Sequence, residues 1–106
     1  MLTYIRNGEC IKVFLSGEID QRMADEIRGE TEALLADRTI RRLLLDFEDV
    51  SFMDSSGIGM VIGRYKTMKA RGGTVAAEGL HPPIDRVFRL SGLHRIIETE
   101  CGRKEA

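Results

Sequence analysis

Phe52–Lys66 reads FMDSSGIGMVIGRYK. Two serines stand between an aspartate and a glycine, and Ile58, Val61, Ile62, Tyr65 and Met68 follow at helical spacing. That spacing predicts a helix from Ser55 or Ser56 to about Ala70, because residues three and four apart share a face. Gly72-Gly73 supplies its end, since glycine commonly closes helices. Upstream, Arg42–Phe47 contains Leu43-Leu44-Leu45, a short continuous apolar run that predicts a central strand covered on both faces. A turn then leads into the serine doublet. Thr74–Glu78 predicts the next short strand. Strand, helix, strand in this order implies a parallel pair joined by a right-handed crossover.

The flanking sequence extends that unit. Ile11, Val13 and Leu15 alternate within Cys10–Ser16, which predicts a half-buried strand. Tyr4–Arg6 predicts a shorter strand, joined to it through Asn7-Gly8, a strong hairpin signal because both residues tolerate positive φ. Asp20–Asp37 predicts a helix with Ala24, Ile27, Leu34 and Leu35 inward and Asp20 as its N-terminal cap. Pro82-Pro83 opens a further helix through Leu90, with Ile84, Val87 and Phe88 inward. Ser91-Gly92 closes it, and Ile96-Ile97 reads as a last edge strand or a docking segment. The expected architecture is α/β: a mixed sheet that opens with an antiparallel hairpin and continues through parallel crossovers, with helices packed on it. A chain of 106 residues makes one domain, spanning 1–106.

Composition narrows the function. With 42% hydrophobic and 31% charged residues the chain is expected to fold, and a formal net charge of -1 points to neither nucleic acid nor a membrane surface. No apolar run approaches the roughly 20 residues that span a bilayer. MLTYIRNGEC lacks a signal peptide's apolar core, so a cytoplasmic location is expected. Cys10 and Cys101 stand near opposite ends and are expected to be free thiols.

DSSG admits several readings. Asp or Ser before an amphipathic run is an ordinary helix cap. Gly57 and Gly59 in the first turn are costly there, which suggests that something approaches the backbone closely. Gly57-x-Gly59-x-x-x-Gly63, with Glu78 about 20 residues on, resembles a dinucleotide fingerprint. That pattern wants two residues between its second and third glycines and a tight strand-to-glycine turn; here three residues intervene, and nine, Glu48 to Ser56, separate the expected strand from Gly57. A serine nucleophile needs a base, yet His81 and His94 sit in no recognisable motif and GxSxG is absent. Two histidines and two scattered cysteines form no metal-ligand cluster, so no cofactor or metal is expected. A phosphorylated serine is the remaining reading: at a helix N-terminus its phosphate would find N–H donors and the positive dipole end. The residues alone do not choose between Ser55 and Ser56.

FMDSSGIGMVIGRYK followed by Gly72-Gly73, the later RVFRLSGLHRII, and GEID at Gly17–Asp20 together resemble the anti-sigma factor antagonists with the STAS fold, and among them most closely the sporulation branch, the antagonists of the anti-sigma-F factor. The resemblance runs from the first strand to about Ile97. It implies a protein that is not an enzyme and has no catalytic residues. It implies that the unphosphorylated form binds an anti-sigma factor that is also a serine kinase, that this frees the sigma factor, and that a PP2C-type phosphatase reverses the modification. Carried onto this chain, the phosphoacceptor is Ser55. The partner-binding residues are then Asp20, Asp54, Ser55, Ser56, Gly57, Ile58 and Gly59. Asp54 either orients the Ser55 hydroxyl or caps the helix. Gly57 and Gly59 admit the partner to the backbone, and Ile58 either contacts it or joins the core. Antagonists of a stress-response sigma system and nucleotide-binding proteins using the Gly57–Gly63 loop are the alternatives. The sporulation proteins continue into a further amphipathic helix; the polar ETECGRKEA implies that here this helix is shortened or absent.

Overall fold

Asn7 and Cys10 pair across the first hairpin of the computed structural model, which describes residues 2–101. Strands β1 (Thr3–Asn7) and β2 (Cys10–Ile19) are antiparallel, as the Asn7-Gly8 signal predicts. The turn sits one residue later than that signal implies. Its loop residues are Gly8 and Glu9, and of these only Gly8 has a positive φ, +64°.

Three crossovers complete the sheet. Helix α1 (Gln21–Leu34) leads from β2 to β3 (Arg42–Met53), and α2 (Ser55–Ala70) leads from β3 to β4 (Thr74–Leu80). Helix α3 (Pro82–Ser91) and a 3-10 turn at Leu93–Arg95 lead to β5 (Glu98–Cys101). The strand order is β1-β2-β3-β4-β5, antiparallel at the first pair and parallel at the others. Every crossover steps the same way across the sheet, so right-handed connections place all three helices on one face. Ile11, Val13, Leu15, Leu43, Leu45, Phe47, Val75 and Ala77 point toward them and are buried.

The expectation that Leu43-Leu44-Leu45 is covered on both faces is therefore corrected. Leu44 is only half-buried, and so are its neighbours Lys12, Phe14, Asp46 and Glu78 on the open face. These side chains cover one another: Lys12 Nζ lies 3.0 Å from Glu78 Oε1 and 3.6 Å from Asp46 Oδ2, and 5.2 Å from the centroid of the Phe14 ring.

β3 runs past its expected end at Phe47 to Met53. Two register shifts against β2, between Phe14 and Ser16 and between Gly17 and Glu18, each insert an extra β3 residue. Buried positions therefore fall at Phe47, Val50 and Met53 instead of every second residue, and the alternation that marks a strand is lost. β4 likewise extends beyond Glu78 to Leu80. It does so through Gly79 (φ +71°), where an added Cβ would stand 2.8 Å from the backbone nitrogen of Glu48. At the far edge Ile97 enters the core, and the last strand is β5 rather than Ile96-Ile97.

α1 ends at Leu34 rather than at the expected Asp37. The Arg71 guanidinium collects carbonyls from the segment that follows, donating to Leu35 O at 2.7 Å and to Asp37 O and Ile40 O at 3.3 Å. Between α1 and α2 the buried Arg64 donates to Thr31 Oγ1 at 3.1 Å, to Arg28 O at 3.3 Å and to Glu32 Oε2 at 3.3 Å. Burial pushes its pKa below the ordinary guanidinium value, and Glu32 opposes that. α3 is anchored by Phe88, whose ring meets Phe47 edge-on at 5.3 Å.

Cys10 pairs with Arg42 at the start of β3, and Cys101 pairs with Leu80 at the end of β4. Three strand spacings of about 4.8 Å hold their backbones apart, beyond the ~7 Å Cα limit for a disulfide. Cys10 is a free thiol. The expectation of a shortened or absent C-terminal helix rests on ETECGRKEA, of which residues 102–106 lie outside the described residues.

Candidate functional site

β2 and β3 are parallel neighbours, so the helices that follow them start side by side. Ile19 pairs with Met53, and the Asp54 N–H donates to Ile19 O at 3.2 Å. The next residue on each strand is a cap. Met23 N–H donates to Asp20 Oδ1 at 3.0 Å, and Ser56 N–H donates to Asp54 Oδ1 at 2.8 Å. Asp20 thus lies at the same end of the sheet as Asp54. Of the two roles open to Asp54, the cap is the one that its geometry displays.

The serine doublet is asymmetric. Ser55 is the first residue of α2 and is exposed; among the described residues its hydroxyl makes no hydrogen bond. Ser56 is half-buried, and its hydroxyl donates to Gln21 Oε1 at 3.0 Å. Gln21 carries no motif and sits in the first turn of another helix, so nothing local in the sequence marks it.

Gly57 and Gly59 differ as well. Gly57 is buried: a Cβ there would run into Cγ and Sδ of Met53 and stand 3.2 Å from Ile19 Cγ2. Its missing side chain lets α2 settle onto the ends of β2 and β3, so internal packing explains this glycine. Gly59 is exposed, with nothing within 4 Å of an added Cβ, and is where the backbone is open from outside. Ile58 is half-buried and packs against the core.

These details bear on anion binding. The carboxylate of Asp54 occupies the Ser56 N–H, and its carbonyl accepts from Gly57 N–H at 3.0 Å. Two of the donors expected to receive a phosphate on Ser55, the N–H groups of Ser56 and Gly57, are thus already engaged, one of them by an anion. The strand-to-glycine gap is shorter than the sequence implies, because β3 ends at Met53. Even so, Gly57 turns inward and Glu78 pairs with Lys12 on the open face, so these residues do not assemble a nucleotide cradle.

The histidines lie elsewhere. His81 precedes α3 with Nε2 3.1 Å from Glu48 Oε2, and His94 Nδ1 lies 3.5 Å from Phe88 O. Neither contacts the serine doublet. Among the described residues no group of three or more His, Cys, Asp or Glu could hold a metal ion, and no helix is long and apolar enough to cross a membrane.

The family model of the STAS domain matches residues 2–106. The chain is similar to the anti-sigma F factor antagonist of Paenibacillus polymyxa, 36% identical over 85 residues that cover 80% of this chain and 73% of that protein. It is similar to the anti-sigma-B factor antagonist of Bacillus subtilis (strain 168), 36% identical over 93 residues that cover 88% of this chain and 84% of that one. The solved structure of the anti-sigma factor antagonist SpoIIAA in its unphosphorylated form superposes with a TM-score of 0.82 at 28% identity, covering 93% of this chain and 87% of that chain. The Bacillus cell fate determinant SpoIIAA in the phosphorylated form superposes with a TM-score of 0.74, also at 28% identity, covering 93% and 90%.

Proposed function

The chain belongs to the STAS family, and on that premise we propose that it is an anti-sigma factor antagonist switched by phosphorylation of Ser55. The unphosphorylated form binds an anti-sigma factor that is also a serine kinase, and this releases the sigma factor. The observation that carries the choice of residue is the asymmetry of the doublet: the Ser55 hydroxyl is exposed and unbonded among the described residues, whereas that of Ser56 is held by Gln21.

The chemistry of the switch follows from the cap. A phosphate on Ser55 adds roughly -1.5 to -2 charges. It arrives beside the Asp54 carboxylate, at the point where Gly59 leaves the α2 backbone accessible. A partner seated there must exclude water from that charge, which weakens the complex. On this reading the kinase and a PP2C-type phosphatase supply both reactions, and the chain itself is not an enzyme. A cytoplasmic location fits those partners.

Equal identity to the sigma-F and sigma-B antagonists favours no single sigma system. A stress-response partner is therefore the second reading, with the same switch.

Titration calorimetry with the anti-sigma kinase from the same organism tests the proposal. Wild type and Ser55→Ala should bind alike, and Ser55→Asp should bind at least about tenfold more weakly, a loss of roughly 1.4 kcal/mol. Equal binding by all three would remove charge exclusion as the mechanism. Tight binding of ATP, GTP or NAD by the chain alone would point to the nucleotide reading instead.

A further inference from the structure

Ser51, Phe52 and Met53, the last residues of β3, face the start of α3 across a groove of about 430 Å³. Its other wall is Pro82, Pro83, Ile84, Arg86 and Val87. The side chains are mostly apolar, and two of them are unusual. β3 buries its other aromatic residue, Phe47, completely, yet leaves Phe52 49% exposed. Arg86 is exposed and has no hydrogen bond or ion pair among the described residues. Pro83, Val87 and Leu90 follow at i, i+4 and i+7, so they form one stripe along α3. Leu90, at its end, is 83% exposed.

We propose that this groove is a second contact surface for the anti-sigma factor, and that it takes an apolar side chain of the partner flanked by a carboxylate. The inference rests on the function proposed above. Continuity is the first argument for this occupant. Met53 is followed directly by Asp54 and Ser55, so the groove's exposed Phe52 stands three residues from Ser55 at the same end of β3. Charge is the second. Asp20 and Asp54 make the serine end anionic, while Arg86 makes the groove cationic. A complementary partner carries a cation toward the first and an anion toward the second, which fixes its orientation on the chain. An exposed aromatic ring in an apolar cleft is also the kind of anchor that dominates binding energy. The groove thus supplies standing affinity, and the phosphate acts at one margin of the contact.

The test is a titration of the anti-sigma kinase with wild type, Phe52→Ser, Leu90→Ser and Arg86→Glu. Urea unfolding serves as the control, and the exposure of all three side chains predicts unchanged midpoints. Phe52→Ser should weaken binding roughly 10- to 100-fold. Arg86→Glu should weaken it about tenfold, and more at low salt than at high. Leu90→Ser, at the far end, should weaken it less than Phe52→Ser. Wild-type affinity in Phe52→Ser and Arg86→Glu, together with normal phosphorylation of Ser55, would overturn the groove and leave the switch standing. Wild type that fails to bind the kinase would overturn both. A self-association that Phe52→Ser abolishes while kinase binding is retained would assign the groove to a second copy of the chain, which also overturns the proposal.

Discussion

The Ser56 hydroxyl donates to Gln21 Oε1 across 3.0 Å, joining the first turns of α1 and α2 through residues 35 positions apart in the chain. This bond separates two serines that are identical in the local sequence. A neutral hydrogen bond is worth about 1 kcal/mol, or roughly a factor of five. Ser55→Ala should accept essentially no phosphate from the anti-sigma kinase, and adding Gln21→Ala should raise the residual modification of Ser56 roughly fivefold. Radiolabelled ATP with peptide mapping reads both. Unchanged labelling of the double variant would mean that Gln21 does not guard Ser56.

The two glycines of the α2 first turn should respond with opposite signs. Gly57→Ala places a methyl group against Met53 and Ile19 in the core, and overpacking of this kind costs about 1–3 kcal/mol. Gly59→Ala meets open space and gains helix propensity, so it should stabilise by up to about 1 kcal/mol. Urea unfolding distinguishes them. If Gly59 is where the partner approaches, the stabilised Gly59→Ala variant should nonetheless bind the kinase more weakly; undiminished binding would move the contact elsewhere.

Arg64 ties α2 to α1 from a buried position, and its Nε has no partner among the described residues. Arg64→Ala removes both the packed stem and the hydrogen bonds, for an expected loss of about 2–4 kcal/mol. Arg64→Met keeps the volume and discards the buried charge, and should cost less than about 1 kcal/mol. A methionine variant as damaged as the alanine variant would show that the hydrogen bonds, and not the stem, hold the helices together.

Asp37 supplies a pH signature. It accepts from Thr39 Oγ1 at 2.6 Å and Thr39 N–H at 3.0 Å, and pairs with Arg6 at 2.6 Å. The hydroxyl of Thr39 first, then Arg6, holds its carboxyl well below the ordinary 3.8. A depressed folded-state pKa contributes stability above the unfolded value, and that contribution is lost as the pH falls toward the folded one. Asp37→Asn should therefore be less stable than wild type at pH 7, with the difference shrinking below about pH 4. A difference that stays constant from pH 7 to pH 2 would show that the carboxylate form contributes nothing.

Much of this architecture is legible in the chain. The hairpin, the three helices and the order of the crossovers follow from Asn7-Gly8, from the helical spacing after Asp20, Asp54 and Pro82, and from the glycines that end the second and third helices. What stays hidden depends on contacts between elements. β3 looks complete at Phe47 because the two bulges opposite β2 change the period of its buried residues from two to three. Leu44 looks like a core residue because an apolar run does not reveal that all the crossovers step the same way. The site divides along the same line. The caps at Asp20 and Asp54 are local and readable. The inward turn of Gly57 depends on Met53 and Ile19, and the role of Gln21 on a bond to another helix. Arg86 and Phe52, far apart in the chain, come to line one groove only where α3 returns to the end of β3.

The most direct test of the switch is to incubate the chain with the anti-sigma kinase from the same organism and Mg-ATP, then to locate phosphate by peptide mass spectrometry. The account predicts one phosphate, on Ser55, and none on Ser56. Phosphate on Ser56 alone, or no phosphate from a kinase shown to be active, would contradict it.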